Sequence, residues 1–152
     1  MRKLRLRTRV AIVAIILMLA IPMAMSAQGR DGVGLGVIVG QPTGLSAISW
    51  LGGGNALDFV AAWSFQDSGS FYVHADYQFH GYVDRPMTLF SGLGGFVLLQ
   101  DDPALGIRIP LGVSFLFQRA PLDLFFEVAP GMTLAPSTDF FIGGGVGLRF
   151  YF

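Results

Sequence analysis

The segment from Phe140 to Phe152 constrains the fold more than any other, because its residues alternate between two kinds of side chain. Residues two apart in a strand share one face of a sheet. One face carries the apolar set Phe140, Ile142, Gly144, Val146, Leu148, Phe150 and Phe152, and the other carries Phe141, Gly143, Gly145, Gly147, Arg149 and Tyr151. An arginine among three glycines suits the narrow inside of a closed barrel whose apolar outside meets lipid.

The chain from residue 32 onward repeats this organisation, with extended segments separated by short turns rich in glycine, proline, aspartate and asparagine. No segment shows the spacing of apolar residues that a helix requires. The predicted strands are 32–40, 44–51, 56–66, 70–83, 87–100, 105–118, 122–135 and 140–152. Since every connection is short enough for a hairpin, the sequence predicts an all-β fold, an eight-stranded antiparallel up-and-down transmembrane β-barrel.

The charged residues support this sidedness, because those in the middle of strands fall on the inward face. In the fourth strand, for example, His74 and Asp76 alternate with Val73 and Ala75. A water-soluble barrel would place apolar residues inside and charges outside. Segment 44–51 is ambiguous, and either of its faces can be the inward one.

Two further expectations concern residues that fit a strand less simply. Aromatic residues near strand ends are expected to form girdles at the membrane interfaces, namely Trp50, Trp63, Phe71, Phe117, Phe140, Phe150 and Phe152. Pro110 and Pro130 cannot donate to a strand ladder. Because the two prolines fall at nearly the same height, we expect a local bulge there.

The inward face holds a candidate polar network in the lumen. Its members are Asp58, His74, Asp76, Gln78, His80, Arg108, Asp123, Glu127 and Arg149. The network is either a set of paired charges that plugs the barrel or a proton path or polar ligand site, and pairing is favoured because buried charges must be compensated. We expect Glu127 to lie beside Arg149 on the adjacent strand, and large side chains of the fourth and fifth strands to fill space left by glycines on the facing wall.

Catalysis and metal binding find little support in these residues. His80 with Asp58 or Glu127 suggests an acid–base pair, but no serine stands in a relation that completes a hydrolase triad. His74 and His80 are six residues apart on one strand, about 20 Å by strand rise, which is too far to share one metal ion. We therefore predict that the chain is not an enzyme and has no metal or cofactor site.

The first 27 residues have the pattern of a secretory signal peptide, which leaves residues 28–152 as one outer-membrane domain. A basic start, Met1 to Arg9, precedes an apolar run from Val10 to Ile21 and small residues near Ala27. Removing this segment leaves five arginines, no lysine and ten acidic residues, a formal net charge of −5. This charge argues against a nucleic-acid partner, and the absence of cysteine excludes a disulfide scaffold.

Several short motifs resemble a family of small bacterial outer-membrane β-barrel proteins that has no established activity. The motifs are Gln41-Pro-Thr-Gly-Leu-Ser46, His74-Ala-Asp-Tyr77, Ile109-Pro-Leu-Gly112, Ala120-Pro-Leu-Asp123, Glu127-Val-Ala-Pro130, Thr138-Asp-Phe140 and Arg149-Phe-Tyr-Phe152. The resemblance implies a monomer in the bacterial outer membrane, with outer-membrane lipid as its surroundings. The last three residues, Phe150, Tyr151 and Phe152, resemble the signal that the barrel assembly machinery recognises during biogenesis.

Three functional hypotheses follow from these expectations. The first is a structural or membrane-integrity role for a barrel whose polar lumen is plugged by its own side chains. The alternative is a narrow pore or a barrel that binds a small ligand. The third, which the inward direction of the histidines disfavours, is a lipid-modifying enzyme.

Overall fold

A computed structural model describes residues 32–64, 69–84 and 86–152. The predicted signal peptide, 1–27, lies outside these residues, as do positions 65 and 66 at the end of the third predicted strand and positions 67 and 68 in the turn after it. The described part of the chain is all β, and no helix in it has the length and hydropathy needed to cross a membrane.

Nine strands form one antiparallel sheet in the described ranges. They are β1 (Val33–Gln41), β2 (Gly44–Gly52), β3 (Asn55–Ser64), β4 (Ser70–Asp84), β5 (Met87–Leu99), β6 (Ala104–Arg108), β7 (Leu111–Leu116), β8 (Leu122–Ala135) and β9 (Asp139–Tyr151). Strands adjacent in sequence pair with each other, except that β6 and β7 both lie between β5 and β8. These two strands occupy the place of the sixth predicted strand.

The sheet closes on itself because β1 pairs with β9, which completes a ring of eight strands. The seam runs from Gly34 opposite Tyr151 to Gln41 opposite Gly144. The predicted all-β antiparallel fold of consecutive hairpins is therefore confirmed, and the ring has an inside and an outside.

The bulge predicted at the two prolines is wrong. Arg108 lies opposite Gly131 and Leu111 opposite Val128, so the pairing keeps one register past Pro110. The missing N–H of Pro110 interrupts the ladder instead, and this interruption separates β6 from β7. The backbone on either side stays paired, since Ile109 N donates to Pro130 O at 2.9 Å and Gly92 N donates to Pro110 O at 2.9 Å.

The two faces of the ring differ as the alternation predicts. Apolar side chains on the outer face are exposed on every strand, and they include Leu35, Val37, Leu45, Trp63, Phe79, Leu93, Ile107, Leu111, Phe115, Phe126, Val128, Val146 and Leu148. The charged side chains in mid-strand are buried on the inner face. The ambiguous segment, β2, turns Ser46 and Ile48 inward, where both are buried.

Glycines and aromatic rings pair across neighbouring strands on the inner face. Five such pairs occur in the described ranges: Phe125 with Gly147, Phe141 with Gly131, Phe96 with Gly106, Phe90 with Gly112, and Tyr151 with Gly34. In each pair a Cβ atom on the glycine would overlap the ring. The space beside these glycines is thus filled by the residue directly opposite on the adjacent strand.

Two expectations about aromatic packing need correction as a result. Phe90 and Phe96 lie over glycines of the adjoining strands β7 and β6 rather than over glycines of the facing wall. Trp50 belongs to the interior and not to an outer girdle, because its ring lies 4.5 Å from that of His80. It also packs against a buried cluster that contains Ile48 and Tyr151.

The aromatic–glycine pairs make a direct prediction for Gly147→Ala. The added Cβ would overlap the ring of Phe125 and approach the backbone oxygen of Val37. We expect the free energy of unfolding to fall by about 1–3 kcal/mol, as for other overpacked sites. Urea unfolding of the folded protein measures this change.

The matched control is Gly95→Ala on the outer face of β5. A Cβ atom there would have Gly106 O as its nearest neighbour, at 3.4 Å, so the substitution should be almost neutral. Equal effects of the two substitutions would contradict the packing described for Phe125.

Candidate functional site in the interior of the ring

Arg149 on β9 anchors one half of a buried polar cluster at mid-height in the ring. Its Nη2 pairs with Asp58 Oδ1 on β3, and its Nε donates to Ser46 Oγ on β2 at 2.8 Å. The guanidinium carbon lies 3.8 Å from the centroid of the Phe125 ring, which adds a cation–π contact. Arg149 thus connects three other strands of the ring through one side chain.

Arg108 on β6 anchors the other half of the cluster. Its Nη2 pairs with Glu127 Oε1 on β8, and its Nε lies 3.3 Å from Asp76 Oδ2 on β4. Its Nη1 donates to His74 Nδ1 at 2.7 Å. All these side chains are at most 2 % exposed, so Arg108 offsets the negative charge of the neighbouring carboxylates where water does not reach them.

His74 connects the two halves. An arginine can only donate, so His74 Nδ1 must accept, and the proton of the neutral ring then lies on Nε2. The hydroxyl of Tyr72 also lies near Nδ1, at 3.2 Å. His74 Nε2 faces Asp58 Oδ2 at 3.6 Å and Asp76 Oδ2 at 3.5 Å, so its N–H points between two carboxylates.

Asp58, His74 and Asp76 have the composition of a small metal site. One ligand atom from each lies within 4.8 Å of the others. The surroundings disfavour a cation there, because the Nε2 position that would bind it carries the proton, and Arg108 brings a positive charge to the same place. This geometry suits internal charge compensation better than metal binding.

The predicted polar network separates into three groups in the structure. The central cluster holds Asp58, His74, Asp76, Arg108, Glu127 and Arg149. Gln78 and His80 form a second group toward the β2–β3 turn, where Gln78 Oε1 lies 3.0 Å from His80 Nε2 and the His80 ring stacks on Phe90. Asp123 forms a third group, since its Oδ2 accepts a hydrogen bond from the Tyr151 hydroxyl at 3.1 Å.

Two contacts that the sequence predicted, Glu127 with Arg149 and His80 with Asp58 or Glu127, are absent from the structure. Glu127 lies opposite Gly145, and Asp123 is the residue opposite Arg149, so Glu127 pairs with Arg108 and not with Arg149. His80 does not meet Asp58 or Glu127, because its ring packs between Trp50 and Phe90. The carboxylate of Asp58 approaches His74 instead.

Sequence reasoning missed two members of these groups. Ser46 lies on β2, whose facing the sequence left open, and no pattern marks it as the acceptor for Arg149. Tyr151 was assigned to a terminal assembly signal, yet its ring is buried and its hydroxyl bonds to Asp123. The alternation of residues already predicts that Tyr151 faces inward, but nothing in the sequence indicates that its hydroxyl reaches Asp123.

The cluster is better suited to hold the ring together than to perform chemistry. His74 Nδ1 accepts from Arg108, His74 Nε2 faces the carboxylates of Asp58 and Asp76, and the ring is buried. Arg108 contacts carboxylates of β4 and β8. Arg149 contacts the carboxylate of Asp58 on β3 and the hydroxyl of Ser46 on β2. A general base needs a free, accessible nitrogen or oxygen beside a substrate, and His74 does not present one.

Removal of one buried charge should show how much the cluster stabilises the ring. Arg149→Met leaves Asp58 buried without its cation, and we expect the free energy of unfolding to fall by about 3–5 kcal/mol. The double variant Arg149→Met with Asp58→Leu should recover part of this loss, because neither charge then remains. Denaturant unfolding of the three proteins gives the comparison.

Arg119→Met is the control for that experiment, since Arg119 lies exposed in the turn between β7 and β8. Its effect should stay within about 0.5 kcal/mol. If Arg149→Met were as mild as Arg119→Met, the ion pair with Asp58 would not be a stabilising contact.

Comparison of this chain with models of known protein families, with curated proteins and with solved structures finds no match. The function must therefore be inferred from the geometry of the chain itself.

Proposed function

We propose that this chain is a monomeric, eight-stranded transmembrane β-barrel of the bacterial outer membrane with a structural role. In this proposal outer-membrane lipid covers the apolar outer face, and the polar cluster plugs the lumen. The barrel contributes to membrane integrity as a rigid, sealed element and catalyses no reaction.

The observation that carries the proposal is the combination of an exposed apolar belt with sealed charges. Leucine, valine, isoleucine and phenylalanine side chains stand exposed around the outer face, while Asp58, Arg108 and Arg149 are almost fully buried. Water as the outer solvent would favour the reverse arrangement, and hydrocarbon favours this one. The nine residues of β1 rise about 23 Å at the tilt usual for such barrels, close to the apolar band of about 25 Å.

The filled interior favours a structural role over a narrow pore. Phe125, Ile38 and Val60 form a buried apolar cluster inside the ring, next to the ion pairs of Arg108 and Arg149. Eight-stranded barrels have an inside just wide enough to be filled by side chains. This packing supports a lumen that is blocked by the protein's own side chains.

The outer membrane is favoured over other membranes by two features. The first is the closed ring, because strands can cross lipid only when all their backbone N–H and C=O groups are hydrogen-bonded within a closed barrel. The second is the terminal pair Phe150 and Phe152, which stand on the outer face with their rings 5.1 Å apart. We propose that these residues, with Tyr151, are what the barrel assembly machinery recognises. The resemblance to small outer-membrane barrel proteins points to the same compartment.

An outward arginine tests whether hydrocarbon surrounds the ring. Leu148 lies on the outer face, opposite Val37 near the middle of β1, so Leu148→Arg should reduce stability in lipid vesicles by about 2–4 kcal/mol. Leu51→Arg, at the end of β2, should cost only about 0–1 kcal/mol. Equal and small effects at both positions would refute membrane residence.

Conductance across a planar bilayer tests the plug. The wild-type protein, reconstituted at low density, should give no discrete openings, because paired and apolar side chains fill the middle of the ring. An unrelated eight-stranded barrel that is known to be closed serves as the baseline. Steady unitary openings above that baseline would support the pore alternative and contradict the plugged lumen.

A further inference from the structure

A cavity of about 320 Å³ lies in the half of the ring that holds the β1–β2, β3–β4 and β8–β9 turns. Its wall includes inward side chains, among them Ala62 and Tyr72, and also outward side chains, Trp63 and Ile142. The cavity is therefore in contact with residues of both faces of the ring. Its volume is near the lower end of the roughly 300–1,000 Å³ typical of ligand pockets.

The strand register explains the gap in the wall. The β1–β2 hairpin is short: Gln41 lies opposite Gly144, and Gly44 lies opposite Ala62. Residues 139–143 of β9 continue beyond that point and pair only with β8, and residues 63–64 of β3 pair only with β4. The protruding ends of β9 and β3 thus flank a notch above the hairpin, with Gln41 and Pro42 as its lower edge.

The notch joins the inside of the ring to the apolar outer surface. Phe140 and Ile142, on the outward face of the protruding part of β9, are 84 % and 73 % exposed. Trp63 stands exposed on the opposite side of the notch. The apolar outer surface therefore reaches the opening on both sides, at Phe140 and Ile142 on β9 and at Trp63 on β3.

The inner end of the cavity is aromatic. The Tyr72 ring stacks on Phe96 with their centroids 5.6 Å apart, and Phe96 meets Phe141 edge to face at 5.2 Å. Both Tyr72 and Phe141 line the cavity. Apolar and aromatic walls of this kind bind hydrocarbon by burial of apolar surface.

Arg108 lies at the deep end of the cavity but does not make it an anion site. Its Nη1, Nη2 and Nε already face His74, Glu127 and Asp76, and its side chain is 2 % exposed. An entering phosphate or carboxylate would meet Glu127 and Asp76 beside the guanidinium, and their negative charges oppose an anion there. The charges thus favour an uncharged, apolar occupant.

We propose that this cavity binds the end of one hydrocarbon chain of a membrane lipid, which enters sideways through the notch between β3 and β9. The proposal rests on the membrane residence proposed above and names a lipid contact of the same barrel. At the length of β1, the notch begins at about one edge of the apolar band, where the chains of the adjacent leaflet are within reach. The chain end packs against Tyr72 and Phe141 while its headgroup stays outside.

Photo-crosslinking of the full folded protein tests this directly. The protein is reconstituted in phospholipid vesicles that contain a twelve-carbon fatty acid with a diazirine at the chain terminus, and crosslinked peptides are mapped by mass spectrometry. We expect crosslinks to inward residues at the cavity, Ala62, Tyr72 or Phe141, in addition to the outer belt. A second probe with the diazirine next to the carboxyl group should label the belt and rim but not Tyr72.

Matched substitutions of serine by phenylalanine provide the control. Ser70 lines the cavity, so Ser70→Phe should reduce the crosslinks to Tyr72 and Phe141 several-fold. Ser91 is exposed on the outer face of β5, so Ser91→Phe should leave them unchanged. If Ser70→Phe does not fold, competition by unlabelled dodecanoate in the wild-type protein must reduce the same crosslinks.

Each other outcome contradicts the proposal in a recognisable way. Crosslinks confined to the outer belt, for example to Leu124, would refute chain entry while leaving membrane residence intact. Crosslinks absent from belt and cavity alike would refute both. Labelling of Tyr72 by the carboxyl-end probe would indicate that a polar group enters first, and crosslinks between two copies at the notch would indicate that a second copy occupies it.

Discussion

The pairing of β1 with β9 is the contact on which the rest of the structure depends. Without it the sheet has two free edges and no inside. With it, each strand has one face turned to the interior, and a period of two in the sequence becomes a polar inner face and an apolar outer face. The seam is rich in glycine, with Gly36 and Gly40 opposite Arg149 and Gly145, so the backbones approach without side chains between them.

Closure of the ring also determines how the buried charged side chains must be paired. A ring this narrow has room for two arginines inside only if each meets carboxylates from other strands, and Arg108 and Arg149 do so through Asp76, Glu127 and Asp58. Half-compensated charges in such a space would be strongly destabilising. The same cluster that fills the interior therefore also ties β2, β3, β4, β6, β8 and β9 together.

Alternation along the chain was sufficient to predict the strands, their hairpin order and the direction of most side chains, since these depend only on local spacing. It could not identify partners across the ring. Arg149 reaches Asp58 because of the ring's width and the length of the side chain, and neither is visible in a period of two. The sequence does not predict the direction of the Trp50 side chain, because β2 carries small and apolar residues on both faces. Its inward direction is visible only from its contact with the His80 ring in the folded structure. The expectation of a bulge at Pro110 failed because a lost N–H can interrupt a ladder without a shift of register.

The seam that closes the ring joins residues at the two ends of the described fold, Gly34 and Tyr151. Such a contact has the greatest separation along the chain that this topology allows, and contacts of that kind form late and slowly. Until the final strand arrives, the first presents a bare row of amide and carbonyl groups that any other strand can capture. The connectivity thus gives a physical reason for the assisted biogenesis that we propose above.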